Sequence, residues 1–521
     1  MAGRDQSLTV SGVLAASLIL ILTFGTLAAV GWRAEGAGQL GPADFAAIRF
    51  TLWQSFLSAT ISTILAVPVA RALARRRFPG RGLVITLLGA PFILPVIVAI
   101  FGLLAIFGRT GVLSEISRAF GGEALNIYGL HGVVLAHVFF NIPLATRLIL
   151  QGWLAIPAER FRLAASLGFR GRDIARQLEW PMLREVLPGA WLVIFLICLT
   201  SFAVALTLGG GPRATTVELA IYQAFRFDFD LGKAALLALI QFGIGGTAAL
   251  FALRIALPQT AGGGFDRTVE RWDARGRLSR WTDVLAIGLA MIFLLSPLTA
   301  VFAEGLRGIP DLGAPVFRAA VASVLVALAS TALALLLSLS LAHLIVAMGH
   351  RRGGPLLEAL GYLSIAASPL VVGTGLFILI FPFVSPDYLA LPVTALVNAT
   401  MSLPFVLRSL VPALREVESR YGTLSESLGL GGWRRFRIVT LPRLRRPLGF
   451  AAGLTAALSM GDLGVIALFA GPEQATLPLQ LYRLMGAYRM EEAAAAALLL
   501  LALSVALFWI FDRGGRADAD A

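Results

Sequence analysis

The sequence is short of charge, cysteine, lysine and histidine, and each shortage excludes something. Asp, Glu, Lys and Arg make up 14% of its 521 residues, against about 25% in soluble globular domains. A water-soluble fold is excluded on that ground. Cys198 stands alone, which leaves neither a disulfide framework nor a cysteine metal site. Lys233 is the only lysine among 43 basic residues. A P-loop needs Gly-x4-Gly-Lys-Ser/Thr, but Ala234 follows Gly232-Lys233 and Phe227 stands where the first glycine belongs. If ATP drives this protein, a separate subunit hydrolyses it. His137 and His343 sit singly in apolar runs and read as packing or hydrogen-bonding residues.

Hydrophobic residues, 58% of the chain, take the place of the missing charge. A helix crosses a bilayer with roughly 20 apolar residues. About a dozen such runs occur: 8–30, 50–74, 83–107, 130–152, 188–210, 233–257, 282–304, 317–346, 356–382, 391–412, 448–470 and 491–511. The period-two alternation of a barrel is absent, and backbone groups in lipid must be satisfied internally, so the runs are predicted to be helices. The fold class is all-α and polytopic. The first run exceeds a signal peptide in length and has no clear cleavage site, so it is expected to stay as the first helix. The net charge of +13 is dispersed among loops, which excludes a nucleic-acid partner. Most of the arginines lie on the side that holds segments 155–187 and 413–447. The positive-inside rule then puts both segments, and both termini, in the cytoplasm.

Those two segments share a frame. Ser166-Leu167-Gly168 is followed after twelve residues by Pro181, and Ser427-Leu428-Gly429 after twelve residues by Pro442, at an offset of 261. Pro143 and Arg147 match Pro404 and Arg408 at the same offset. A second frame, Gly211-Pro212-x3-Thr216-x2-Leu219-x2-Tyr222, matches Gly471-Pro472-x3-Thr476-x2-Leu479-x2-Tyr482 on the opposite face of the membrane. Two tandem halves are predicted, 1–260 and 261–521, joined through the polar, glycine-rich stretch 258–281. With six helices each, they insert the same way round, so the repeat is parallel.

The Gly-to-Pro frame resembles the EAA loop of permease subunits in binding-protein-dependent ABC importers. The second copy fits closely, with Trp433, Phe436 and Leu441-Pro442; in the first, Ala175 replaces the mid-loop aromatic and Trp180 precedes Pro181. Both copies lack the family's glutamate, with Arg162 and Thr423 in its place. The runs Ser201–Ala224 and Ser459–Phe469 narrow the resemblance to the fused permease of the thiamine and thiamine pyrophosphate importer. Fused ferric-iron permeases share the architecture and form the alternative.

The resemblance implies a type I importer permease fold of about 12 transmembrane helices in a bacterial inner membrane. It implies two copies of a cytoplasmic ABC ATPase, docked through Gly168, Pro181, Gly429, Trp433, Phe436 and Pro442. A periplasmic binding protein would deliver a small-molecule substrate, and lipid would surround the helices. The chain itself would bind no metal or cofactor and catalyse no reaction, the ATP being used by the partner.

Pathway residues are read from the sequence with their alternatives. Asp462 lies within a predicted span, where an ionisable group is costly; it reads equally as a contact for a cationic substrate or as a structural hydrogen-bonding group. Its repeat counterpart is Ser201, so the halves present unlike polar groups at one depth. Tyr222 and Tyr482, with Glu218 and Gln480 nearby, are expected close to the outer surface. They read first as membrane anchors and second as parts of an outer gate. An ion-coupled carrier would show several buried acids, of which Asp462 alone is evident, and an embedded enzyme would need a convergent polar cluster that the sequence does not offer.

Overall fold

The computed structural model describes residues 6–34, 40–89, 93–211, 214–254, 271, 276–349, 353–354, 357–358, 368–471 and 474–516. All regular structure among them is helical, and eleven segments are long and apolar enough to cross a membrane.

The first half begins with α1 (Gln6–Leu20) and α2 (Thr26–Ala34), joined through a π-helical turn. Then come α3 (Pro42–Arg75), α4 (Arg81–Leu87), α5 (Val96–Phe107), α6 (Val112–Ala119) and α7 (Leu130–Ala155). Segment 155–187 supplies α8 (Ala158–Ser166) and α9 (Gly171–Ile174), and α10 (Trp180–Leu199) returns into the membrane. Two short helices, α11 (Ala203–Leu208) and α12 (Val217–Arg226), precede the last crossing, α13 (Leu231–Arg254).

The second half repeats this order. It has α14 (Arg277–Arg307), α15 (Ala314–Met348), α16 (Pro369–Ile380) and α17 (Ala390–Ser427). After them stand α18 (Gly432–Arg435), α19 (Leu441–Met460), α20 (Gly464–Phe469), α21 (Leu477–Gly486) and α22 (Met490–Arg516). Of the predicted run 356–382, residues 356 and 359–367 lie outside the described residues, and α16 is the helix seen in the rest.

The predicted runs 188–210 and 448–470 are not continuous helices. Each breaks in its middle, at Thr200–Phe202 and at Gly461–Leu463. The breaks are deep. Gln241 stands about 15 Å along α13 from that helix's N-terminal end, at 1.5 Å per residue, and its Nε2 donates to the Leu199 carbonyl at 2.8 Å. That depth is near the middle of a hydrocarbon core of roughly 30 Å.

The halves exchange their first helices. α1 packs on α15 and α2 on α16, both in the second half, while α14 packs on α3 and α5 in the first. Glycine permits the closeness of two of these crossings. A Cβ on Gly102 of α5 would stand 2.5 Å from the Pro297 carbonyl oxygen of α14, and one on Gly375 of α16 would stand 2.6 Å from the Thr26 carbonyl oxygen of α2. Close backbone approach over small residues is how helices associate where lipid removes a hydrophobic drive. Gly375→Leu is expected to cost about 1–3 kcal/mol by overpacking, read as a lower unfolding midpoint in detergent; an unchanged midpoint would contradict this crossing.

Candidate functional site

Two surfaces are built in duplicate by the repeat: one at the loops, one at the mid-membrane breaks. Each loop folds by the same local rules. α8 ends at Gly168 (φ +69) and α17 ends beyond Ser427 at Gly429 (φ +62). The Phe169 N–H donates to the Ala164 carbonyl, and the Leu430 N–H to that of Ser425, each at 2.9 Å. This is the left-handed glycine cap that closes a helix on itself. A one-turn helix follows in each loop, then a π-helical turn, Ala175–Glu179 or Phe436–Thr440, and then a helix with Pro181 or Pro442 in its first turn. Each proline comes second after its π-helical turn, and its ring removes the N–H that an uninterrupted α-helix would need at that point.

The loops present matching apolar side chains to solvent. Leu163 and Leu167 in the first, Leu424 and Leu428 in the second, are more than half exposed at equivalent positions. Trp433 is 70% exposed and stacks on Phe436 at 5.2 Å. The leucine pairs were missed in the sequence, although their shared offset was available. The Phe436 ring lies 5.8 Å from His343, whose Nδ1 donates to the Leu339 carbonyl.

Among the described residues, a buried ion cluster ties down the first loop and none ties down the second. Glu179, 3% exposed, accepts from Arg71, Arg271 and the Trp153 indole at 2.8–3.3 Å. Thr440 takes its place in the second loop. Close by in the fold, Asp283 of α14 pairs with Arg75, the last residue of α3, and with Arg76 just beyond it, at 2.6 Å each, another bond between halves.

The breaks form the second surface. A cavity of about 210 Å³ is lined by Pro95, Pro369, Asn398, Ser402, Ser459 and Asp462, among others. Pro95 and Pro369 are corresponding residues at the starts of α5 and α16. Asp462 sits in the break between α19 and α20, not within a helix as its run predicted. The N–H groups of Gly464, Val465 and Ile466 lie against its carboxylate, and Oδ2 has no hydrogen-bond partner. Asn398 Nδ2 donates to Ser459 Oγ at 3.0 Å, and Ser402 Oγ to the Asn398 carbonyl at 2.8 Å.

The first half carries the same construction with other residues. At the matching positions are His137, Asn141, Cys198 and Ser201; Asn141 donates to the His137 carbonyl at 2.8 Å and to Cys198 Sγ at 3.4 Å. His137, Asn141 and Cys198 are buried. Ser201 is half-buried in its break and does not line the cavity. The polar face of the cavity therefore belongs to the second half.

Outward of the breaks the seam is filled. Phe202 meets Tyr222 edge-on at 5.2 Å, and Phe225 meets Phe377 at 4.2 Å across the halves. Residues 97–103, 370–376 and 464–469 are all buried. Tyr222, 9% exposed, is thus packed in the seam and is no lipid anchor, which corrects the first reading of the sequence. Tyr482 is near enough to interact with it electrostatically, and Arg226 and Arg483 flank Tyr222. Arg226 donates to the Ala470 carbonyl and Arg483 to that of Gly471, at 3.2 and 2.9 Å. Glu218, expected near the surface, is fully buried.

A sequence profile of the binding-protein-dependent transport system inner membrane component matches residues 344–514. The thiamine transport system permease protein ThiP of Salmonella typhimurium is 41% identical over 100% of both chains. The protein of the same name from Escherichia coli is 39% identical over 98% of each chain. The chain belongs to the ThiP permease family. A Brucella abortus ThiP, 38% identical, covers 98% of this chain with 96% of its own length. The sulfate transport system permease protein CysW of Escherichia coli, 30% identical, aligns 90% of its length with only 46% of this chain. Nine-tenths of CysW thus aligns with less than half of this chain, as a tandem construction would give. The fold is that of a type I importer permease in two parallel repeats.

Proposed function

We propose that the protein passes thiamine, thiamine phosphates or both from a periplasmic binding protein into the cytoplasm, and that partner subunits hydrolyse the ATP. The observation that carries the substrate is the identity of 38–41% to thiamine permeases over essentially the whole chain. The cavity fits it chemically, because thiamine bears a fixed positive charge and Asp462 offers an incompletely bonded carboxylate there. Two copies of the ATPase grip segments 155–187 and 413–447 through the exposed leucines, Trp433 and the glycine caps. Both termini lie in the cytoplasm. The filled outer seam corresponds to a state closed to the periplasm, and its cavity is smaller than the ~300–1,000 Å³ usual for an enclosed ligand. ATP binding draws the loops together and parts the seam outward; hydrolysis reverses it. Each state must bind a partner differently for that partner to drive the change.

The test is uptake of labelled thiamine and of ferric iron by cells with and without this chain. Loss of thiamine uptake alone is expected; loss of iron uptake alone would keep the architecture and reject the substrate. Within that assay, Asp462→Asn is expected to lower thiamine uptake roughly tenfold, the worth of one charged hydrogen bond, at unchanged protein level. Full transport by the variant would give Asp462 a structural role.

A further inference from the structure

Glu218 opens α12 with a fully buried carboxylate, and neither oxygen has a hydrogen-bond partner. α12 is packed on α3 and α13 of its own half and on α16 and α20 of the other. Gln241 of α13 and Ser368 at the head of α16 lie against the carboxylate. Gln241 Nε2 spends one of its two N–H groups on the Leu199 carbonyl, and its Oε1 has no partner. Ser368 Oγ accepts from the Val371 N–H at 3.1 Å, which leaves its own O–H unspent. Neither makes a well-formed hydrogen bond to Glu218. Glu218 Oε1 and Oε2 and Gln241 Oε1 therefore gather at mid-membrane depth as three acceptors, and no ion pair among the described residues reaches Glu218. An isolated carboxylate so deep is costly unless it finds a counter-charge or a proton.

The cluster straddles the seam. Glu218 and Gln241 come from the first half, Ser368 from the second. Pro369, the residue after Ser368, lines the cavity that holds Asp462. Two carboxylates thus flank one helix head, one from each half. The repeat does not demand this arrangement: the counterpart of Glu218 is Pro478, and that of Asp462 is Ser201. An object moving along the seam would meet a carboxyl group on each side.

We propose that Glu218 and the Gln241 amide oxygen form a cation subsite of the pathway, exposed when the halves part, which takes the positively charged ring of the substrate. This rests on the thiamine reading. The shared chemistry is a monovalent cation held by oxygen acceptors, and an inorganic cation is the other source of it.

The experiment uses the complete complex of permease, ATPase and binding protein in proteoliposomes, supplied with saturating thiamine-loaded binding protein and ATP. Glu218→Gln, which keeps the shape and removes the charge, is expected to slow uptake roughly tenfold or more. Glu218→Asp, which keeps the charge, is expected to slow it less. A purely structural role reverses that order, because Gln preserves the packing that Asp loses. Uptake by Glu218→Gln at the unaltered rate, or faster than by Glu218→Asp, would overturn the proposal. Should Glu218→Gln fail to assemble, an unchanged rate in Glu218→Asp, whose carboxylate is withdrawn by a methylene, would overturn it instead. Replacing sodium by choline is expected to leave the unaltered complex unaffected. A sodium dependence that vanishes in the Gln variant would assign the subsite to an inorganic cation and reject the substrate. Absence of thiamine uptake by the unaltered complex would reject the functional reading, and this one with it.

Discussion

Gly429→Asp and Gly168→Asp are each expected to abolish uptake while the protein stays in the membrane at its normal level. The reasons are local. Both glycines have positive φ, and a Cβ on either would meet nothing within 4 Å. Asp is among the few residues that tolerate this backbone region, so the cost to folding is small, on the order of 1 kcal/mol. What changes is the surface. A carboxylate would stand beside Leu167 or Leu428 in the exposed apolar patch of each loop, where its desolvation would oppose the proposed docking of the ATPase. The measurement is co-purification of the ATPase with the permease. Retention of normal amounts by both variants would refute the docking role of these caps.

Glu179→Ala is expected to be the most destabilising change in segments 155–187 and 413–447. It strips a buried carboxylate from Arg71, Arg271 and Trp153 and leaves Arg271, whose side chain is 2% exposed, without that counter-charge. Breaking a buried pair by removing one partner costs about 3–5 kcal/mol. Glu179 ends the π-helical turn of the first loop, so the cluster links the docking segment to α3, α7 and the join between halves. Loosening it should let the ATPase cycle without moving the membrane helices. The expected result is a high ratio of ATP hydrolysed to thiamine moved, with faster proteolysis around residues 155–187. An unchanged ratio would show that the loop transmits force by another route. The corresponding Thr440→Ala should have little effect, because Thr440 holds no such cluster.

The loops were legible in the sequence because backbone geometry restricts residue choice there. A left-handed cap favours glycine and a π-helical turn accommodates the proline that follows it, and their spacing occurs twice. The breaks at Thr200–Phe202 and Gly461–Leu463 were not legible, since an apolar run of the right length reads as one helix whether or not it is interrupted. Asn398, Ser402 and Ser459 gave no signal for a similar reason: single small polar residues are unremarkable in a long helix until a neighbour is placed beside them. Tyr222 was misread because a tyrosine next to a Gly-Pro turn looks interfacial, and nothing local announces that α12 folds back into the seam. The exchange of first helices is a tertiary fact carried by Gly102 and Gly375. With 54 glycines in the chain, neither stood out.

That exchange has a consequence in time. α1 finds its packing surface on α15, which the ribosome makes about 300 residues later; at roughly 5–20 residues per second the interval is about 15–60 s. Through that interval α1 is already in the bilayer with its final neighbour unmade, its surface covered by lipid alone. The first half is therefore unfinished when its own synthesis ends, and neither half has a complete wall until both have been translated.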